Sequence, residues 1–456
     1  MRNVNVPRPG WVNDRVGGVD VPKAADAAAP ALYPQGPKGI AATKDRRAAL
    51  ATPVALPPDL DQESVTHSEP EEESHGVLSQ IMLGSSPALA RALAARPLSA
   101  AWAPAHWLHS VLRATGAPCF LDNPFSGALI LVAMAVDESC GPEGAGATLL
   151  GATCALAVAM ALLGERSLAL SSPGLTFNGA LIGVTLGNGT ALHDRAWLLA
   201  PIVVLSALSA WLSRGLSAVL ARVEMPALNL AFNVLVALWL AVEASWAPGW
   251  RAPAGSYPAN ASTVDWAQVA TSVLMAPGPV FACTSITSCC LLYVAFLVFS
   301  PMLFVVGLIG AAVGTLIGVA LCPGAELASL YAGQWGYCPL LTACALGGVF
   351  FVCNVQSVVL SAAGAVTAAL TYGALLRVLQ PLGVPVLAWP FVLSTWMLVG
   401  NPRSSLSLTP VPLAEVTTPE EARRREQQLR ALDQPPGVAL QAVHAPRPST
   451  RAGFWH

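Results

Sequence analysis

The sequence predicts an all-α integral membrane protein, with about ten transmembrane helices in two pseudo-symmetric repeats and short pore helices. Three observations carry this reading. Charged residues make up 11 % of the 456 positions and hydrophobic ones 54 %, whereas soluble chains are roughly 25 % charged. Between Ala267 and Trp396 the only charged side chains are Glu326 and Arg377, too few for a fold whose outer faces meet water. A set of sequence anchors also recurs in the same order about 160 positions apart.

Taken from the start, residues 1–97 are rich in Pro, Ala and charge, with an acidic run at Asp59–Glu73. They are expected to form a disordered cytoplasmic tail, because so little apolar surface cannot offset the entropy of ordering. Within it, Leu78–Arg96 is amphipathic enough to lie on a membrane surface. No apolar run in this tail is long enough for a signal peptide, so the first transmembrane segment serves as its own insertion signal.

Residues 98–246 form the first expected repeat, with apolar segments at Phe125–Val136, Ala145–Leu163, Phe177–Leu186, Trp197–Leu212 and Pro226–Val242. Residues 267–400 form the second, with segments at Val280–Phe299, Met302–Leu321, Tyr337–Val352, Val358–Leu376 and Val384–Val399. A hydrocarbon layer of ~30 Å needs roughly 20 residues of helix, and several segments are shorter. Short segments at matching places suggest broken helices meeting at a central pathway. Phe177-Asn178-Gly179-Ala180-Leu181 aligns with Tyr337-Cys338-Pro339-Leu340-Leu341, Leu186-Gly187 with Leu346-Gly347, and Pro226 and Phe232 with Pro385 and Phe391.

The linker Ala247–Trp266 carries Asn260-Ala261-Ser262, an acceptor pattern for N-glycosylation that requires the outer side. Asn188-Gly189-Thr190 lies against an apolar segment and is expected to go unused. Residues 401–456 form a second cytoplasmic tail, in which Thr418-Pro419-Glu420-Glu421 signals a helix start. Arg423, Arg424, Arg425 and Arg430 follow, and Lys38, Lys44, Arg46 and Arg47 stand near the other end, so both termini are expected inside, at a plasma membrane.

The chemistry is that of a neutral pathway. A net charge of −2 gives no field for nucleic acid. The ten cysteines include no CxxC pair and no His at ligand spacing, so neither a metal nor another cofactor is expected. No nucleophile–base order or carboxylate pair suggests an enzyme. Glu326 follows a turn signal, and Arg377 ends an apolar run where it can snorkel. Helix ends and backbone carbonyls can hydrogen-bond a neutral solute without charge, while the paired aromatics Phe177 and Tyr337 would wall a slot.

Asp122-Asn123-Pro124-Phe125-Ser126-Gly127, continuing into Ala128-Leu129-Ile130-Leu131-Val132, resembles the N-N-P-x-S-G-L-L-I-L-V segment of the urea transporter family. Trp107-Leu108-His109-Ser110-Val111-Leu112-Arg113 is similar to the helix before it, and Gly333-Gln334-Trp335-Gly336-Tyr337 to the family's G-L-W-G-F. Thr417-Thr418-Pro419-Glu420-Glu421 resembles its tail motif. The likeness covers residues 98 to 425 and implies a urea channel, one pore per protomer in a homotrimer within the lipid bilayer.

Residue by residue, it implies aromatic–leucine walls at Phe177 with Leu181 and Tyr337 with Leu341, and an outer-site phenylalanine at Phe120. The family's entrance glutamines align with Ala117 and Pro279, and its mid-filter threonines with Asn229 and Ala388. The second N-P-W-T-G segment has become Ile286-Thr287-Ser288-Cys289. Asn229 keeps a donor and an acceptor, and Ala388 keeps neither. Passive urea passage is therefore the leading expectation. The alternatives are another small neutral solute (an amide, ammonia, water) or a structural or regulatory membrane protein that no longer conducts.

Overall fold

A chain in lipid must pair its backbone groups internally, and this one does so through helices. The computed structural model describes residues 82–96, 98–166, 170, 172–188, 192, 195–246, 264–322, 327–400 and 408–432. The glycosylation site Asn260, most of the Ala247–Trp266 linker, Glu326 and Gly189-Thr190 of the other acceptor pattern lie outside the described residues.

In chain order the helices are α1 (Pro87–Ala94), α2 (Ala103–Gly116), α3 (Pro124–Val136), α4 (Gly141–Ala161), α5 (Phe177–Gly187), α6 (Leu199–Leu220) and α7 (Leu230–Trp246). After the linker come α8 (Trp266–Met275), α9 (Ile286–Phe299), α10 (Pro301–Leu321), α11 (Leu327–Tyr331), α12 (Tyr337–Cys344), α13 (Val355–Leu379), α14 (Trp389–Val399) and α15 (Pro419–Leu432). Among the described residues four helices are long and apolar enough to cross a membrane: Gly141–Ala161, Ala196–Val223, Pro301–Leu321 and Val355–Leu382. A fifth span results if Ala103–Cys119 and Pro124–Val136, bent by 76°, count as one. Most of the ten expected segments are thus helices, but α5, α7, α9, α12 and α14 are shorter apolar pieces.

Local chemistry explains the breaks. Asn123 caps α3, its Oδ1 accepting from Phe125 N at 2.7 Å and Ser126 N at 3.0 Å, with Pro124 in the first turn. Ser285 caps α9 by accepting from Ser288 N at 3.1 Å. Ser285, one residue before Ile286, thus holds at the start of α9 the capping place that Asn123 holds at the start of α3. The expected continuous segment Val280–Phe299 is broken there, after a 3-10 turn Gly278–Phe281 and Ala282 at φ 55°. Val384–Val399 is broken likewise, at Leu387 (φ 51°).

The element order recurs. The 3-10 turns Ala117–Cys119 and Gly278–Phe281 each end on a left-handed residue, Phe120 (φ 64°) and Ala282 (φ 55°). α4 and α10 are both 21 residues long, and both Ala196–Val223 and Val355–Leu382 run for 28. Left-handed residues follow at Glu224 and Gly383, then at Leu228 (φ 49°) and Leu387 (φ 51°), before α7 and α14. Close packing links α4 to α5: a Cβ on Gly151 would stand 2.1 Å from the Gly179 carbonyl oxygen, and one on Gly179 2.4 Å from that of Gly151.

Two features depart from the expected tails. Part of residues 1–97 is folded: the Asn123 amide donates to the carbonyls of Met82 (2.8 Å) and Gly84 (2.6 Å) and to Ser86 Oγ (3.0 Å). The amphipathic stretch Leu78–Arg96 was legible, but this docking was not, because two of the three partners are backbone carbonyls. The C-terminal segment also returns to the helices. Val352 N donates to Thr409 O and Val411 N to Phe350 O, both at 2.9 Å. α15 starts where the Thr418-Pro419 signal puts it, and Glu420 reaches the start of α10, accepting from Ser300 Oγ (2.7 and 2.8 Å) and Met302 N (2.9 Å).

Candidate functional site

The first turns of the short helices meet one another through hydrogen bonds. Asn178, in the first turn of α5, accepts from Phe232 N of α7 at 3.1 Å and donates to Ser213 Oγ of α6 at 3.0 Å. Asn233 of α7 accepts from the backbone N–H of Ala388, the cap of α14, at 3.0 Å. The Tyr337 hydroxyl, at the start of α12, donates to the Leu387 carbonyl. Trp396 Nε1 of α14 donates to Pro226 O at 2.8 Å. Helix starts leave backbone N–H groups unpaired, so their convergence builds a polar centre inside apolar walls.

The predicted residues fall around this centre unequally. Leu181, Asn229, Tyr337, Leu341 and Ala388 are buried, and Phe177 is half-buried against the same core. Among the described residues no ring contact joins Phe177 to Tyr337. The Tyr337 ring instead meets Tyr372 edge-on, centroids 6.0 Å apart. Ala117 and Pro279 both sit in the 3-10 turns and are half-buried. Phe120 packs edge-on against Phe350 (6.0 Å) and Phe391 (5.9 Å). Phe350 is also the residue whose carbonyl holds Val411, so Phe120 shares an end of the molecule with the C-terminal segment.

An ion pair fixes the loop that carries Phe120. Arg113 Nε and Nη2 donate to the two Asp122 oxygens at 2.6 and 2.7 Å, and Nη1 donates to Leu170 O at 3.1 Å. A bidentate pair of this geometry resists rotation of either side chain. At the other turn Asp137 does the equivalent. Its Oδ2 accepts from Thr284 N (3.0 Å) and Ser285 N (2.9 Å), its Oδ1 from Ser139 N (3.0 Å) and Cys140 N (3.3 Å). Burial pushes the Asp137 carboxyl up, but hydrogen bonds led by Ser285 outweigh it and hold the group below the usual carboxylate range.

Several buried polar atoms of the short helices and the turns before them have no partner, among them Asn229 Oδ1, Asn233 Nδ2, Thr342 Oγ1, Thr395 Oγ1 and both Glu243 carboxylate oxygens. Asn229 and Asn233 stand four apart at the start of a largely apolar segment, and of the two only Asn229 was singled out from the sequence. Arg377 is exposed near the end of α13. No group of three or more His, Cys, Asp or Glu side chains is placed to hold a metal ion among the described residues.

These features define a helical membrane protein whose short helices meet through polar groups set among buried aromatic and aliphatic side chains. A family model described as urea transporter matches residues 108–401, and the chain belongs to the urea transporter family, whose members are transporters and not enzymes. Among curated proteins it is similar to urea transporter 1 of Capra hircus, 27 % identical over 323 residues, covering 69 % of this chain and 82 % of that protein. Urea transporter 1 of Mus musculus is 24 % identical over 319 residues, with the same coverage.

Proposed function

We propose that this protein passes urea across a plasma membrane, passively, through a narrow path between two homologous halves. The observation that carries the reading is the paired geometry of the helix starts. Phe177 with Leu181 and Tyr337 with Leu341 occupy corresponding places on α5 and α12. The backbone reverses into the left-handed region at corresponding positions, Phe120 with Ala282 and Leu228 with Leu387. Such residues cluster at functional sites because non-glycine side chains adopt that conformation at a cost. Membership of the urea transporter family and the names of its relatives support urea as the solute.

In this reading residues 98–246 and 267–400 are the two repeats, with short helices completing the spans that the long ones begin, and the protomers assemble as trimers. The tails are cytoplasmic and the linker bearing Asn260 is outside. Phe120 then belongs to the cytoplasmic mouth, since the C-terminal segment lies beside it, and Ala282 to the outer one. The family's "outer" label therefore moves to the second turn. Ser285 and Phe299 stand at opposite ends of α9, about 20 Å apart at 1.5 Å per residue. Apolar walls exclude ions, and the unpaired polar atoms at the centre replace part of the solute's hydration.

A second reading, a non-conducting protein that keeps the fold, is favoured by Phe120 being wedged against two rings and by Ala388 having no hydroxyl. Flux of progressively larger amides into proteoliposomes separates the two. Tyr337→Ala removes a buried ring whose space neighbours refill only in part. It should admit acetamide and larger amides that the wild type excludes. Unchanged exclusion at equal reconstitution would remove Tyr337 from the path.

A further inference from the structure

Asn233 is fully buried, and its hydrogen bonding is half complete. Oδ1 accepts from Ala388 N–H at 3.0 Å, which fixes the amide's orientation because only the oxygen can accept. The NH2 group on the other side has no partner, and a buried donor left so is costly. One helical turn earlier, Asn229 presents a buried Oδ1 that is equally unpartnered; the turn is closed by Asn233 N donating to Asn229 O at 3.0 Å. An unused acceptor just before α7 and an unused donor in its first turn thus stand four residues apart. Asn233 lies beside Ala388, which contributes no polar side chain. The place corresponding to Asn233 in α14 is Val392, so this pair has no counterpart across the two halves.

The complement of such a pair is a molecule that offers a carbonyl oxygen and an N–H on one edge. We propose that Asn233 is a specificity-determining residue: its NH2 donates to the carbonyl oxygen of a primary amide or urea in transit, while Asn229 Oδ1 accepts the solute's N–H. The inference rests on the conduction reading above. It makes the filter one-sided, with α7 supplying what Ala388 lacks. No bond is made or broken in the solute, and no charge moves.

Thiourea is the probe that isolates the carbonyl contact, because its sulfur is a far weaker acceptor than oxygen in a molecule of the same shape. Asn233→Leu, of similar size, removes the donor. Wild-type protein in liposomes should pass urea faster than thiourea, and Asn233→Leu should cut urea flux by about fivefold to tenfold, the equivalent of one hydrogen bond. Thiourea flux should change little, so the ratio falls toward one. If the Leu variant does not reconstitute, Asn233→Thr replaces it, since a hydroxyl is too short to hold Ala388 and reach the solute together. A merely structural Asn233 predicts equal losses for both solutes and an unchanged ratio, which overturns this inference alone. Absence of urea flux in the wild type overturns the conduction reading, and the inference with it.

Discussion

Asp137 joins the end of α3 to the backbone that opens α9, and its protonation state decides whether that joint holds. The carboxyl's folded pKa lies below its ordinary value. The folded state therefore binds a proton less readily than the unfolded one, and the stabilisation is fully present above the ordinary carboxylate range. It is lost as pH falls through the folded value. Thermal unfolding in detergent should show an acid-side loss of stability that Asp137→Asn flattens. That variant should also unfold more easily at pH 7, by about 1–3 kcal/mol, because four N–H groups lose their charged acceptor. An unaltered acid limb in Asp137→Asn would assign the loss to other groups. Such residue-scale features were only partly legible. Asn229 and the aromatic–leucine pairs stand in the sequence, but Leu228, Ala282 and Leu387 take left-handed backbone without the glycine that usually signals it. Asn233 is visible as a residue, yet its half-satisfied amide exists only once α14 lies beside it.

Among the elements, the long apolar helices were the most legible, since length and hydropathy decide them almost alone. α2 and α8 were less so: histidines and Arg113 dilute the first, and the second follows directly on a polar linker. The C-terminal helix was read from Thr418-Pro419, but its docking was not, because it depends on Glu420 meeting the start of a helix more than a hundred residues earlier. That placement is favourable twice over, through hydrogen bonds to Ser300 and Met302 and through the positive end of the α10 dipole. Glu420→Ala should weaken docking by about 1–3 kcal/mol. Amides of 408–432 should then exchange hydrogen faster, and limited proteolysis should cut there first, while the long helices keep their protection. Equal exchange in both proteins would mean that the Phe350–Val352 backbone pairing holds the segment without Glu420.

At the scale of the whole molecule, corresponding anchors keep nearly constant spacing in the sequence, and 3-10 turns, long helices and left-handed residues follow one another in a similar order. That several segments are too short to span alone was legible; where Val280–Phe299 and Val384–Val399 break was not, because caps and left-handed residues set those points. The arrangement joins the starts of short helices largely through neutral hydrogen bonds; Asp137 holds the backbone before α9, the Arg113–Asp122 pair ties α2 to the loop after it, and Glu243 is buried in α7. On the proposed reading a neutral solute passes such a centre, and few titrating groups stand there to couple its passage to ions or protons. The most direct measurement is urea flux into proteoliposomes holding the purified chain, followed as a function of pH and Na⁺ and continued to steady state. The account predicts flux above the lipid background, nearly constant between about pH 6 and 8 and indifferent to Na⁺. The internal concentration should never exceed the external one. Accumulation against the gradient, or flux that requires a proton or sodium gradient, would contradict it.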